Sequence, residues 1–411
     1  MESLNAAQQD ALARAVAGEN VFITGAAGTG KTHLLGCIYR ALRARHGAAL
    51  HAAAATGIAA KLLGDNVSAR ATTLHSWSGV RFDEALTVTN AYTKRRLTGA
   101  KVLLLDEISM LRADYVHRVD KVLRALRRAP DRFFGGIQVI SCGDFNQLPP
   151  VGDTGQFLFL DKALWGGMVT HTARLTEVIR QRDETFVRLL DEISRGEVSE
   201  EAEAAFADKE GEEEEGEDMH GVLPTKLFCR NRDVDAFNLA RLRELPGEET
   251  VYAPRARIHA SNCRPDNLPL KVGAQVLISR NIDVSSGLCN GARAVVTAMH
   301  PREVTVRLPS GAAHRITPAE TAEGWMQIPL RLAFAITVHR AQGQTIDYLD
   351  VDLTGAFEFN QVYTALSRAV SLKRLRVRNF SKASVRVHPS VLKFFNGGDD
   401  VQPPPTKRVK L

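Results

Sequence analysis

VFITGAAGTGKT, residues 21–32, restricts the fold more than any other stretch of the chain. VFITG reads as a short buried strand, and a helical pattern runs from Lys31 to about Arg45. The loop between them matches G-x-x-x-x-G-K-[ST] in the strand–loop–helix setting that this motif requires. Glycines at 25, 28 and 30 allow backbone angles that turn several N–H groups inward, which makes a nest for an anion. The N-terminus of the following helix adds partial positive charge. Gly25, Gly28, Thr29, Gly30, Lys31 and Thr32 are therefore the candidate nucleotide-binding residues. Lys31 is placed to reach the β- and γ-phosphates of ATP, and Thr32 to hold Mg²⁺.

LLLDE, residues 103–107, supplies the second half of such a site. Three leucines bury the strand, and Asp106 and Glu107 emerge at its C-terminal end, where open α/β sheets bind ligands. Asp106 is the second candidate for the Mg²⁺ site. Glu107 is the candidate to polarise an attacking water. ALHAAAAT (49–56) and GIQVISCGD (136–144) are further continuous apolar runs between helical segments. This pattern points to a parallel sheet covered on both faces.

FGGIQVISCGDFNQLPPV, residues 134–151, ends such a strand in an acid, an aromatic and two amides before Pro149 and Pro150. Its strand is expected beside LLLDE, so Gln147 is a candidate γ-phosphate sensor. An amide can donate to a phosphate oxygen and accept from water without carrying charge. Phe145 and Pro149 are candidate walls for a second ligand.

The net charge of +6 over 411 residues hides an asymmetry. Residues 197–218 hold 12 acids and one lysine, so the remainder is near +17. A basic remainder favours a polyanion such as nucleic acid, with a dispersed solubilising surface as the alternative. Cysteines 37, 142, 229, 263 and 289 form no Cys-x-x-Cys pair, which fits a reducing compartment. No apolar run is long enough to span a bilayer, and neither a signal segment nor a transit peptide is expected.

The motifs together closely resemble the Pif (petite integration frequency) DNA helicases of superfamily 1B, in order across residues 4–380. FGGIQVISCGDFNQLPPV carries the family signature. LNAAQQDAL (4–12) resembles the adenine-reading segment, with Gln9 as its amide. ATGIAA (55–60) and TTLHSWSG (72–79) resemble strand-contacting motifs. LTEVIRQRD (175–183) resembles the segment whose arginine faces the nucleotide, here Arg180. GLCNGARAVV (287–296) resembles the entry to a small β insertion. TVHRAQGQT (337–345) and VYTALSRA (362–369) resemble the last two helicase motifs, which bring Gly343 and Arg368 to the nucleotide. Arginine at 340 departs from the usual lysine and keeps the charge, though the two side chains are not interchangeable.

The resemblance implies an α/β chain of two RecA-like parallel-sheet domains, a P-loop NTPase with a small SH3-like β insertion in the second. The expected division is residues 1–196 for the first domain, an acidic disordered loop at 197–222, and 223–283 with 326–385 for the second domain. The insertion is expected at 284–325 and a C-terminal tail with a basic cluster at 386–411. The implied activity is ATP-dependent 5′→3′ translocation on single-stranded DNA with duplex unwinding. G-quadruplexes or RNA–DNA hybrids stay open as further substrates. The alternatives are a DNA-stimulated ATPase that only clamps single strands, or the helicase module of a larger replication protein.

Arg180 and Arg368 are expected to stabilise transition-state charge only when the domains close, which makes hydrolysis drive motion. Strand contacts are expected from Thr56, Gly57, Thr73, His75, Ser76 and Trp77 in the first unit. His339, Arg340, Gln342 and Thr345 are expected to supply them from the second. Trp77 and Phe145 are the stacking or wedge candidates, with a place in the core as the alternative for Trp77. The expected partners are single-stranded DNA and single-strand/duplex junctions, with no membrane and a monomer in solution. TKRVKL (406–411) resembles a nuclear import signal, with mitochondrion or cytoplasm as other destinations.

Overall fold

Short apolar strands too buried to show alternation build the first unit. They are β1 (Val21–Gly25), β2 (Leu50–Ala54), β3 (Ala71–Thr73), β4 (Val102–Asp106), β5 (Gln138–Gly143) and β6 (His171–Leu175). All pair in parallel in the order β3-β2-β4-β5-β1-β6. The computed structural model describes residues 4–80, 88, 90–150, 157–178, 183–207, 220–223, 226–257, 264–283, 286–321, 324–346 and 348–395. Arg180, the acidic stretch 208–219 and the basic cluster 406–411 lie outside the described residues.

Helices cover both faces of the sheet: α1 (Ala6–Ala17), α2 (Lys31–His46), α3 (Gly57–Val67), α4 (Leu74–Ser78), α5 (Ala91–Gly99), α6 (Ala113–Leu126), α7 (Lys162–Met168) and α8 (Glu184–Arg195). One core joins Ile23, Leu34, Ile38, Leu104 and Ile140, and another joins Phe22, Leu105, Val119, Val139 and Phe145. Adjacent strand residues thus feed opposite cores, as the two-residue repeat of a strand requires. A parallel sheet gathers all its strand ends on one edge. Hence the loop after β1, Thr56, Thr73, Asp106 and Asp144 share the C-terminal edge.

The second unit takes described residues between 200 and 357 and 368–384, whereas 358–367 and 385–395 pack with the first. It opens with α9 (Glu200–Phe206), β7 (Lys226–Phe228) and α10 (Asn231–Glu244). Then come β8 (Thr250–Tyr252), β9 (Arg255–Ala256), β10 (Leu268–Leu270), β11 (Gln275–Ile278), β12 (Arg293–His300), β13 (Glu303–Arg307), β14 (Ala313–Ile316), β15 (Ala319–Glu320), β16 (Trp325–Gln327) and β17 (Leu330–Leu332). Finally come β18 (Ala335–Thr337), α11 (Val338–Ala341), β19 (Leu349–Asp352) and β20 (Leu375–Arg378). A four-stranded parallel sheet runs β18-β7-β19-β20, and a five-stranded antiparallel sheet runs β14-β13-β12-β11-β17.

The antiparallel sheet is wider than the expected 284–325 insertion, because β11 and β17 pair with each other outside it. Val276, Ile278, Val296, Val304, Val306 and Leu330 form one core, so these strands cannot be divided without exposing it. Within the first unit lie α12 (Gln361–Leu366) and α13 (Pro389–Phe395). The expected tail begins later than 386: Val391 is fully buried, and the Phe394 ring stacks on Phe159 at 4.3 Å.

Candidate functional site

The phosphate loop closes on itself. Gly25 lies against β6 so tightly that a Cβ there would sit 2.4 Å from the Leu175 carbonyl oxygen. Gly30 caps α2 at φ +80°, a left-handed conformation that favours glycine. The Lys31 ammonium donates to the carbonyls of Gly25 (2.8 Å) and Ala26 (2.9 Å), and the Thr29 hydroxyl to Ala26 O (2.9 Å). Lys31 is thus held over the loop by groups that a phosphate can replace.

The Thr32 hydroxyl donates to Asp106 Oδ2 at 3.0 Å. Asp106 is buried, and its Oδ1 accepts from the Cys142 thiol (2.7 Å) and from Glu107 N–H (2.8 Å). Burial pushes the Asp106 carboxyl above the usual carboxylate range, while Cys142, Thr32, the Glu107 amide and Lys31 pull the other way. Burial, and then the charge of Asp106, push the Cys142 thiol well above its ordinary value. Glu107 adopts φ +55°, ψ +45°, a conformation that an L side chain enters against a steric penalty and that recurs at functional sites. A hydroxyl beside a carboxylate desolvated in this way fits a hard divalent cation such as Mg²⁺. Thr32 and Asp106 are the residues that would hold it.

Beyond β5, Asp144 and Gln147 are buried, and Gln147 Nε2 donates to Asp144 Oδ2 at 3.2 Å. The strand β5 lies directly beside β4, as expected for a residue working with the acidic pair. Lys31, Thr32, Asp106, Glu107 and Gln147 therefore share one sheet edge.

One stacking candidate, Phe145, is corrected, and for Trp77 the alternative of a place in the core holds. Trp77 is 2% exposed and Phe145 1% exposed. Phe145 makes ring contacts with Phe22, Phe159, Trp165 and Phe394 at 4.9–5.8 Å and has no face for a base. Large aromatics beside the sheet gain more from filling the core than from solvent. Exposed instead are His75, stacked on Tyr115 at 3.9 Å, and Ser76. Thr56 caps α3, of which Gly57 is the first residue, and Thr73 caps α4, accepting from Ser76 N–H at 3.2 Å. Pro149 is half-buried.

The adenine-reading amide is also corrected. Gln9 is exposed, with Nε2 donating to Leu4 O (2.7 Å). Its neighbour Gln8 is buried and takes part in the cap of α1, accepting from Asn5 N–H at 3.1 Å. Gln8 Nε2 has no hydrogen-bond partner among the described residues.

In the second unit, His339 and Arg340 are half-buried on α11, Thr345 is exposed, and Gly343 has φ +81°. Burial, and then Arg331, lower the Arg340 guanidinium from its ordinary value. Gln342 is buried with Nε2 lacking a partner among the described residues. Arg368 is buried, and its Nη1 donates to Gln344 O at 3.2 Å. Four residues at the first unit's site escaped the sequence reading: Cys142 and Asp144, which bond to Asp106 and Gln147, and Asn360 and Tyr363, which donate to Phe145 O and to Asp144. Each lies inside a quoted motif or beside one, and only folding brings them to one place.

A glycine-lined phosphate loop, a hydroxyl–carboxylate pair on the sheet edge beside it and parallel-sheet units define a P-loop NTPase. Residues 3–217 match the model of an AAA domain, and residues 255–299 that of the DNA helicase Pif1, 2B domain. The ATP-dependent DNA helicase PIF1 of Xenopus laevis is 35% identical over 96% of this chain and 64% of its own length. The ATP-dependent DNA helicase Pif1 of a Psychrobacter species is 32% identical over 90% of this chain and 67% of its own. The crystal structure of Pif1 helicase from Bacteroides in complex with ADP-AlF3 and ssDNA superposes with a TM-score of 0.80, at 27% identity and 97% coverage of both chains. This chain belongs to the Pif1 family of DNA helicases. It spans just under two thirds of the length of the Xenopus relative.

Proposed function

We propose that the protein is an ATP-dependent helicase that moves 5′→3′ along single-stranded DNA and separates duplex at single-strand/duplex junctions. The carrying observation is the assembled Lys31, Thr32, Asp106 and Glu107 group on one sheet edge, with Gln147 in the turn after the adjoining strand β5. Lys31 exchanges the carbonyls of Gly25 and Ala26 for the β- and γ-phosphates of ATP. Thr32 and Asp106 would hold Mg²⁺, which when bound would supply positive charge to the phosphates. Glu107 orients the attacking water, and Gln147 senses the γ-phosphate. Gln8 reads the base edge with its buried amide. Arg180 and Arg368 supply positive charge to the transition state.

His75, Ser76, Thr73 and Thr56 contact the strand from the first unit, and His339, Arg340, Gln342 and Thr345 from the second. Two sets of contacts that shift in alternation make each closure a step. Such contacts run to phosphate, so binding is salt-sensitive and largely independent of sequence. The role is in DNA replication, repair or recombination. The basic cluster at 406–411 directs the protein to the nucleus.

Incubation with ATP and duplexes bearing only a 5′ or only a 3′ single-stranded tail tests this reading. Separation of the 5′-tailed duplex alone is expected. Separation of the 3′-tailed duplex alone refutes the polarity. DNA-stimulated hydrolysis with neither duplex opened reduces the protein to a strand clamp.

A further inference from the structure

The segment 358–367 packs with the first unit, and Arg368, the next residue, begins a stretch of the second. Two buried side chains of this segment, one turn apart, grip the turn that follows β5. Asn360, at φ +63°, caps α12 and donates from Nδ2 to Phe145 O (3.1 Å) and Gln147 O (3.3 Å). Its Oδ1 accepts from His388 N–H at 3.1 Å. The Tyr363 hydroxyl donates to Asp144 Oδ2 at 3.1 Å and accepts from Ala27 N–H of the phosphate loop at 3.3 Å. Asp144 Oδ2 is also the acceptor of Gln147 Nε2.

One hydroxyl therefore joins the phosphate loop to the carboxylate that holds Gln147. A phenol can donate and accept at once, which a phenyl ring of the same shape cannot. Tyr363, Asp144 and Gln147 are all buried, so these bonds have no ready replacement by water. We propose that Tyr363 is a positioning residue that couples the occupancy of the phosphate loop to Gln147. The inference rests on the ATPase reading above and adds to it a specific transmitting side chain.

The test is Tyr363→Phe in the full chain, read as ATP KM and kcat with saturating oligothymidine. Affinity for a fluorescent ATP analogue, oligothymidine affinity and thermal midpoint are measured beside them. The two affinities and KM are expected to stay within about twofold while kcat falls about tenfold, equivalent to ~1.4 kcal/mol. A residue that only supports the fold would move the midpoint and both affinities together. A kcat within twofold of wild type, with wild type active, overturns the inference alone.

Asp144→Asn provides a second arm should Tyr363→Phe fail to fold, and the same selective kcat loss is expected. An unchanged kcat in Asp144→Asn also overturns the inference. The double variant is expected to fall no further than the worse single, and multiplying losses contradict action through Asp144. A wild-type protein that hydrolyses no ATP with or without oligothymidine refutes the functional reading, and this inference with it.

Discussion

The Thr32 hydroxyl lies 3.0 Å from Asp106 Oδ2, which links the first residue pair of α2 to the end of β4 across the sheet edge. That contact holds a carboxylate that is itself buried. Burial raises the Asp106 pKa, so the folded state loses stability as pH rises through that value. Asp106→Asn is accordingly expected to raise the thermal midpoint of the nucleotide-free protein. The gain is ~2–4 °C for each kcal/mol relieved, with Mg²⁺-dependent hydrolysis abolished. Calorimetry and a phosphate-release assay read the two effects, and a lowered midpoint contradicts the account.

Lys31 donates to the loop carbonyls of Gly25 and Ala26. Lys31→Ala is expected to lower ATP turnover by at least about a hundredfold, the scale of losing a preorganised charge donor. Single-stranded DNA affinity, read by fluorescence anisotropy, is expected to stay within about threefold. Loss of both would place Lys31 in the fold rather than in the chemistry.

Burial assigns opposite outcomes to two aromatic groups. Phe145→Ala removes a ring from a filled cluster and is expected to destabilise the protein by ~3–5 kcal/mol. His75 presents its outer surface to solvent while its inner face rests on Tyr115. His75→Ala is expected to weaken oligonucleotide binding severalfold with little change in denaturation midpoint. Equal midpoints for Phe145→Ala and wild type would contradict the buried placement.

Acidification is expected to destabilise the protein through histidines that folding desolvates. His388 is buried, its Nδ1 accepts from Ser390 N–H at 3.2 Å, and burial lowers its pKa. Partial desolvation likewise lowers His51, where Arg96 adds to the effect, and His75, whose inner face rests on Tyr115. Unfolded histidine takes its proton near pH 6.5. Stability is therefore full above that pH and declines as pH falls toward the lower folded values. A denaturation series from pH 7.5 to 5.5 should show the decline, and a shallower slope for His388→Asn. Identical slopes would remove His388 from this linkage.

Gln8 and Gln9 separate by their direction. Gln8→Ala is expected to weaken ATP binding severalfold, and Gln9→Ala to leave it within twofold, as read by titration with a fluorescent ATP analogue. The reverse order would restore Gln9 as the base-reading amide.

The Gln8–Gln9 pair illustrates how far the sequence could be read. LNAAQQDAL announced an amide, but neighbouring residues on a helix point about 100° apart, and the choice between them is made by what α1 packs against. Trp77 and Phe145 sit in polar-looking motifs, yet the core they fill is built from strands and helices far along the chain. The strand β5 was legible from its apolar run, and its place beside β4 followed from the motif it carries. The extent of the antiparallel sheet was not, since β11 and β17 are separated by more than fifty residues and meet only through pairing.

Local chain chemistry alone determined the phosphate loop, the acidic pair after β4 and the alternating α/β layout. Glycine freedom, helix polarity and uninterrupted apolar runs act over a few residues and leave little choice. Only tertiary structure decided that Tyr363 and Asn360 belong to the first unit's site, that Gln8 rather than Gln9 turns inward, and that Phe145 is core. Hydrogen bonding and burial between distant segments depend on which surfaces meet, and that follows from packing the whole sheet rather than from any motif.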